Sequence, residues 1–255
     1  MTDKKITMGD IQEYMFKSLV RIDNGNIVNA SLVGIEIEGD RIMTFLIAPK
    51  AEIQDKKEIS VLVPYKEGED TSIKICKFGT DSLKWLYQDN LPIAALPFSP
   101  FINFLQEKQY KFSNIIITKK ALISDEFKDS LKLIESIHAI AYPNGIHNER
   151  NFWPISYTTY TASPISQDFD GRPYFLVNGA PKYMSGAPVF VEISNFFKSC
   201  ISFVGIWIED IDIKKSAVGE EGNFSLILKA EKIFEFLEEL KNKMQLQEMA
   251  QKESS

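Results

Sequence analysis

Short runs in which apolar, β-branched or aromatic residues alternate with polar ones recur along most of this chain, and turn residues bound them. Runs of this kind predict β-strands. Gly39-Asp40, between two of the runs, predicts a tight hairpin. The predicted strands cover residues 18–22, 30–38, 41–48, 59–63, 71–77, 93–96, 113–118, 138–141, 175–177, 187–192, 200–208 and 224–228.

Helical periodicity is found in fewer places, over residues 100–107, 125–134 and 230–247. The last helix carries the strongest apolar stripe, and its polar tail, residues 245–255, is expected to fray. The stripe could pack on the chain's own sheet or dock against a neighbouring subunit, and we expect the first. Many short strands with one long terminal helix predict an all-β fold built of barrels rather than βαβ units. The stripe consists of Ile233, Phe234, Phe236, Leu237, Leu240 and Met244.

The composition indicates an ordinary globular protein but no specific function. The chain has 255 residues, 44% hydrophobic and 25% charged, which is typical of an ordinary globular protein. A net charge of −6 without a basic stripe argues against nucleic acid as a partner. The sequence has no signal-like apolar segment and no run of membrane-spanning length, so we expect a cytoplasmic protein with no membrane contact. Cys76 and Cys200 are expected to be reduced, buried thiols.

The most informative segment is residues 179–191, where Ser185 lies in a Ser-Gly-x-Pro bend that leads into an apolar strand. A sharp bend of this kind presents a hydroxyl together with backbone N–H groups. A nucleophile and an oxyanion site in acyl transfer need those two features. Ser185 is therefore the candidate nucleophile.

The second half of the chain resembles the bacterial trypsin-like peptidases of the chymotrypsin superfamily, over motifs between residues 141 and 190. The likeness is weaker before this region but extends over roughly residues 15–240. It implies two six-stranded antiparallel barrels with an active cleft between them and a C-terminal α-helix. The matching motifs are Ala141-Tyr142-Pro143-Asn144-Gly145, Asn148-Glu149-Arg150-Asn151-Phe152-Trp153-Pro154-Ile155, Thr161-Ala162-Ser163-Pro164, Asp168-Phe169-Asp170-Gly171-Arg172-Pro173-Tyr174-Phe175-Leu176-Val177 and Ser185-Gly186-Ala187-Pro188-Val189-Phe190.

The resemblance also predicts where the domains begin and end. A first barrel is expected over residues 15–108 and a second over residues 109–228. The terminal helix is expected over residues 229–248. An N-terminal segment, residues 1–14, would precede the barrels, and a disordered tail, residues 249–255, would follow them.

The family's catalytic histidine and aspartate are not present where the resemblance places them. The family's histidine ends a motif that matches residues 45–51, so Ala51 stands in its place and cannot accept a proton. The family's aspartate precedes an Ile-Ala pair, and Pro92 occupies that position. Asp89 comes three residues earlier, and we do not expect it to reach the cleft.

The oxyanion region departs from the family as well. Tyr183 replaces a glycine two residues before Ser185, and Met184 follows it. A side chain at this position resists the backbone conformation that glycine permits. Of the two histidines in the chain, His138 is expected in or beside a strand and His147 in an exposed loop. Neither has metal-ligand spacing, so no metal is expected, and no cofactor motif is present.

These substitutions predict a pseudoprotease that binds a peptide or protein partner, as an added β-strand or by surface docking. The alternative is a serine peptidase in which Lys50 serves as an unconventional base or a partner protein completes the site. Phe203, Gly205 and Trp207 are the candidates for lining the cleft, because the family's strand after the nucleophile does so.

Overall fold

The computed structural model describes residues 8–37, 41–56, 59–69, 72–80, 84–179, 182–194, 199–213 and 222–253. The predicted hairpin tip at Gly39-Asp40 lies outside these residues. The first sheet contains β1 (Leu19–Asp23), β2 (Ile27–Ile37), β3 (Arg41–Pro49), β4 (Ser60–Glu67), β5 (Lys74–Gly79), β6 (Leu86–Tyr87), β7 (Ile93–Pro97) and β8 (Tyr110–Phe112). The second contains β9 (Ser136–Ala141), β10 (Ile155–Tyr160), β11 (Tyr174–Asn178), β12 (Pro188–Ser194), β13 (Ser199–Ile213) and β14 (Gly222–Lys229). The helices are α1 (Met8–Lys17), α2 (Lys50–Ile53), α3 (Ser99–Glu107), α4 (Asp125–Lys128) and α5 (Ala230–Glu253).

The two sheets repeat one strand order. The first runs β5-β4-β1-β2-β3-β7-β6, and the second runs β10-β9-β12-β13-β14-β11. When the six main strands are numbered 1 to 6 in chain order (β1 to β5 and β7 in the first sheet, β9 to β14 in the second), both strand orders follow the same cyclic order, 1-2-3-6-5-4. The second ring is closed by a bridge from Thr161 to Val177 and by the Ala162 N–H, which donates to Leu176 O at 2.7 Å. All strand pairs within the two sheets are antiparallel.

The predicted fold class is therefore confirmed: the chain is mostly β, with two antiparallel sheets and a C-terminal helix. The first sheet has eight strands rather than six, because the short strands β6 and β8 pair with β7 and β4. The β10 strand was not predicted, since most of its residues are exposed and polar and it lacks an apolar face.

Three groups of buried side chains form the core. One fills the first sheet, and a second fills the ring of the second sheet. The third lies between the sheets, where Phe45 from β3 meets Phe190 from β12 and Phe203 from β13. This shared layer holds the two sheets in a fixed relative position, so the surfaces that face each other across their junction are also fixed.

Helix α5 belongs to the shared layer. Ile233, Phe234 and Leu237 are buried there, which confirms that the apolar stripe packs on the chain's own sheets. The helix continues to Glu253, beyond the predicted end at residue 247. Its last turns are rich in Gln, Glu, Met, Ala and Lys, which are good helix formers, so the helix extends past its packed face.

Several local predictions differ from the structure. Residues 113–118 form no strand and contribute only a parallel bridge from Ile117 to Val33. The helix expected over residues 125–134 is reduced to α4, and Leu133 and Ile134 are exposed before the chain enters β9. Both cysteines are free and half-buried rather than buried. No helix among the described residues is long and apolar enough to cross a membrane.

Candidate functional site

The turn that carries Ser185 is a tight bend immediately before β12. Tyr183 and Gly186 have positive φ angles, 68° and 87°. The Ala187 N–H donates to Met184 O at 2.9 Å, and the Gly186 N–H donates to Trp207 O at 2.7 Å. Met184 is buried in the core of the second sheet, so it anchors the bend from below. These hydrogen bonds and the buried Met184 give the bend that carries Ser185 a defined shape.

Tyr183 has a left-handed backbone conformation, which residues other than glycine rarely adopt. A side chain here was expected to resist the conformation that glycine permits at this position, and Tyr183 has a positive φ angle. The Tyr183 side chain is 55% exposed, so it meets no core packing that would oppose the bend. The remaining cost is the local strain of a left-handed residue other than glycine, which is typically about 1 kcal/mol.

Gly186 allows the bend to approach the first sheet. A Cβ atom at this position would lie 1.9 Å from Asn29 O, which is far inside van der Waals contact. The positive φ angle disfavours any other residue as well. The glycine of the Ser-Gly-x-Pro motif is therefore required by the docking of one sheet on the other.

Asn29 on β2 fastens this bend to the first sheet. Its side-chain amide donates to Tyr183 O at 2.8 Å and to Ser185 O at 3.2 Å. Its side-chain carbonyl oxygen, Oδ1, accepts a hydrogen bond from the Tyr142 N–H at 2.7 Å. The Ser31 hydroxyl adds a bond to Gly186 O at 3.1 Å. Asn29 is buried, so its polar atoms satisfy backbone groups that would otherwise be unpaired between the sheets.

The Ser185 hydroxyl donates to Ile208 O at 2.6 Å. Ile208 is the extra residue of a β-bulge, because Trp207 pairs with Ile227 and Glu209 pairs with Leu226. The ladder to β14 passes over Ile208, and the serine hydroxyl supplies a hydrogen bond to its carbonyl. In this position Ser185 acts as a hydrogen-bond donor to the backbone.

The opposite wall of the cleft belongs to the first sheet. Ala51 lies exposed on the short helix α2, and Pro92 lies in the segment before β7, where its carbonyl accepts from the Lys50 N–H at 2.8 Å. Ala51, Pro92, Tyr183 and Ser185 line one cavity of about 750 Å³, which we call the main cleft. The structure thus brings these four residues together, although neither Ala51 nor Pro92 has a group that can accept a proton.

Lys50 also lines the main cleft, and its ammonium lies 5.8 Å from the centre of the Tyr87 ring. This placement over an aromatic face is a cation–π contact. Asp89 lines the same cleft, contrary to the expectation that it would not reach it. The loop before β7 turns Asp89 and Pro92 to the same side, which three residues of separation along the sequence did not reveal.

A second cavity of about 500 Å³ adjoins the main cleft, and we call it the side pocket. Glu52, Tyr183 and Ser185 line both cavities, so the two meet at these residues. Asp23 and Asn144 line the side pocket as well. The main cleft and the side pocket share these three lining residues, and together they are here named the Ser185 groove.

The two histidines have other surroundings. His138 Nδ1 lies 3.0 Å from Thr158 Oγ1 on the neighbouring strand β10. The half-buried ring of His147 packs 4.6 Å from the Phe152 ring, and its Nδ1 lies 2.7 Å from Gly145 O. No histidine is among the described residues that line the main cleft or the side pocket.

The cleft-lining role predicted for Phe203, Gly205 and Trp207 does not agree with the structure. Phe203 is buried between the sheets, and Trp207 is buried inside the second sheet. A β-bulge at Val204 causes the split, because Phe203 pairs with Phe190 whereas Gly205 pairs with Val189. A Cβ atom on Gly205 would lie 2.1 Å from a backbone oxygen of β14, so this position serves strand packing.

Asn29, Glu52 and Tyr174 were not predicted from the sequence to belong to the site, and the last two line the main cleft. Glu52 follows Ala51 directly, and its neighbour's match to the family's histidine was the one signal that could have indicated it. Asn29 gave no signal, because its partners lie more than 100 residues further along the chain.

Comparison with known proteins leaves the family of this chain open. No protein-family model matches the chain, and no curated protein matches it. Among solved structures, the protease domain of MamO from Magnetospirillum magneticum is 14% identical, with a TM-score of 0.48 over 88% of this chain and 97% of that one. An inactivated protease paralogue from the scabies mite is 11% identical, with a TM-score of 0.40 over 85% of this chain and 92% of that one.

Proposed function

We propose that this chain is a catalytically inactive relative of the trypsin-like serine peptidases, and that it binds a peptide or protein segment in the Ser185 groove. The observation that carries the proposal is the hydrogen bond from the Ser185 hydroxyl to Ile208 O at 2.6 Å. The hydroxyl proton is directed to a backbone carbonyl, and the facing wall presents Ala51 and Pro92.

The chemistry of acyl transfer explains why this arrangement is inactive. A serine hydroxyl attacks a carbonyl only when a base removes its proton, and in a Ser-His-Asp triad a carboxylate orients that base. Removal of a triad member typically lowers the rate by roughly four to six orders of magnitude. Ala51 and Pro92 supply neither the base nor the carboxylate, so hydrolysis at Ser185 is not expected.

Binding needs none of these groups. The main cleft and the side pocket have volumes of about 750 and 500 Å³, which suits an extended segment of several residues. The Asn29 hydrogen bonds and the glycine at position 186 hold the bend between the cavities in one shape. A preorganised groove loses little conformational freedom when a segment binds as an added strand.

The test combines an active-site probe with a binding assay. We expect no labelling of Ser185 by a fluorophosphonate and no turnover of a mixed peptide library. Fluorescent peptides from the same library should bind, and substitution of the exposed Tyr183 by Ala should weaken that binding. Stoichiometric labelling of Ser185, with turnover that disappears in Ser185→Ala, would overturn the proposal.

One observation favours a second candidate function, a serine peptidase with an unconventional site. Lys50 and Ser185 line the same cleft, so a lysine could act as the base, or a partner protein could complete the site. This alternative predicts turnover that depends on the partner or on Lys50. Ser185→Ala should abolish turnover in either case. Lys50→Ala should abolish it only if Lys50 is the base, and Lys108→Ala, which removes an exposed lysine at the end of α3, should not affect it.

A further inference from the structure

We infer that the segment bound in the Ser185 groove is cationic and rich in lysine or arginine. This inference rests on the proposed function and adds the chemistry of the partner. The groove carries three carboxylates, those of Asp23, Glu52 and Asp89. Lys50 is the one cation among the described residues that line it, so the groove has a net negative charge.

The carboxylates are distributed along the groove. Asp23 lines the side pocket, Asp89 lines the main cleft, and Glu52 lies where the two cavities meet. An extended strand places every second side chain on one face, at intervals of about 6.6 Å. A segment bound as an added strand directs every second side chain to the same face, so several cationic side chains can enter the groove together.

Two of the carboxylates are available to a ligand. No ion pair joins Glu52 or Asp89 to another described residue. The Lys50 ammonium lies over the Tyr87 ring. An incoming ammonium or guanidinium would thus relieve repulsion among the carboxylates, whereas an anionic segment would increase it.

Tyr183 adds a contact suited to the same partner. Its side chain is 55% exposed and lies at the junction of the two cavities, which Glu52 also lines. The face of a phenol ring attracts a lysine or arginine side chain, and a carboxylate in the same groove attracts it further. The exposed aromatic ring and this carboxylate together favour a long cationic side chain at the centre of the segment.

The experiment uses three fluorescein-labelled decapeptide pools and the full chain. Every second position is fixed as lysine, glutamate or serine, and the remaining positions vary among apolar residues. Fluorescence anisotropy should show the lysine pool binding about tenfold more tightly than the serine pool at low salt, with this advantage shrinking in about 0.5 M salt. The glutamate pool should bind more weakly than either.

Matched variants assign the effect to the groove. Glu52→Gln and Asp89→Asn should each weaken binding of the lysine pool about three- to tenfold and leave binding of the serine pool unchanged. Lys50→Ala should make the lysine pool bind more tightly. Glu107→Gln makes the same charge change at the exposed end of α3 and should have no effect.

The outcomes separate this inference from the proposed function. If the three pools bind equally and Tyr183→Ala weakens all of them, the groove binds peptides but the cationic preference is wrong. If the lysine pool binds best but Glu52→Gln and Glu107→Gln behave alike, the attraction comes from the overall charge and the inference is again wrong. If no pool binds, both proposals fail.

Discussion

The two walls of the groove differ in the hydrogen bonds and close contacts that hold them in place. The wall from the second sheet is the Ser185 bend, which Asn29 and Ser31 tie to the first sheet and Gly186 seats against its backbone. The facing wall consists of the short helix α2 and the loop before β7, where Ala51 and Pro92 present no polar side chain. One wall is fixed by several hydrogen bonds, while Ala51 and Pro92 on the other wall have no side-chain group that can accept a proton.

This difference shows that contacts within the protein determine the shape of the Ser185 bend. Several polar groups of the bend have partners within the protein: the Ser185 hydroxyl bonds to Ile208 O, and the Tyr183 and Ser185 carbonyls bond to Asn29. The bend therefore contributes to stability, and that contribution does not depend on catalysis. Substitutions in the bend should therefore lower the free energy of unfolding most where they disturb the most contacts.

The largest effect is expected from Gly186→Ala. The new Cβ would lie 1.9 Å from Asn29 O, and the φ angle of 87° disfavours alanine. We expect a loss of about 4 kcal/mol in the free energy of unfolding, measured by urea denaturation. Gly25→Ala is the matched control, because Gly25 has a φ angle of 94° and a Cβ placed on it would have no atom within 4 Å. A similar loss in both variants would show that backbone strain, and not the contact between the sheets, fixes the bend.

The second effect is expected from Asn29→Leu, which removes three hydrogen bonds between the sheets. The Tyr142 N–H and the Tyr183 and Ser185 carbonyls would lose their side-chain partner in a buried place. The expected loss is about 3 kcal/mol in the free energy of unfolding. Amide chemical shifts should change more in the Ser185 bend than in β7, and equal changes in both would contradict the proposed attachment.

The sequence predicted the bend better than the groove. The Ser-Gly-x-Pro motif is local, and its glycine and proline constrain the backbone whatever surrounds them. Glu52 and Asp89 come to line the groove, and Asn29 comes to bind the Ser185 bend, only when the two sheets dock, which no periodicity in the sequence indicates. Phe203 and Trp207 were misplaced because a bulge at Val204 reverses the alternation of the strand, and a bulge leaves no clear trace in an apolar run.

A smaller effect is expected from Ser185→Ala, which separates structure from catalysis at one residue. The substitution leaves Ile208 O without its side-chain donor, so we expect a loss of about 1 kcal/mol in the free energy of unfolding. Ser194→Ala, at the exposed end of β12, should change it by less than about 0.5 kcal/mol. Unchanged stability in Ser185→Ala would mean that the hydroxyl has no structural role, and the bend would again require a catalytic explanation.

The smallest effect, and the finest test of the bend, is expected from Tyr183→Gly. Tyr183 has a φ angle of 68° and a side chain that is 55% exposed, so glycine would relieve local strain with little loss of packing. Glycine also gains more freedom in the unfolded chain, and the net change should be an increase of about 0.5 kcal/mol. Tyr183→Ala is the matched control, because alanine keeps the strain and removes the ring. If glycine is no more stable than alanine when measured by thermal unfolding, position 183 is not strained, and the left-handed conformation is set by the hydrogen bonds of Asn29 alone.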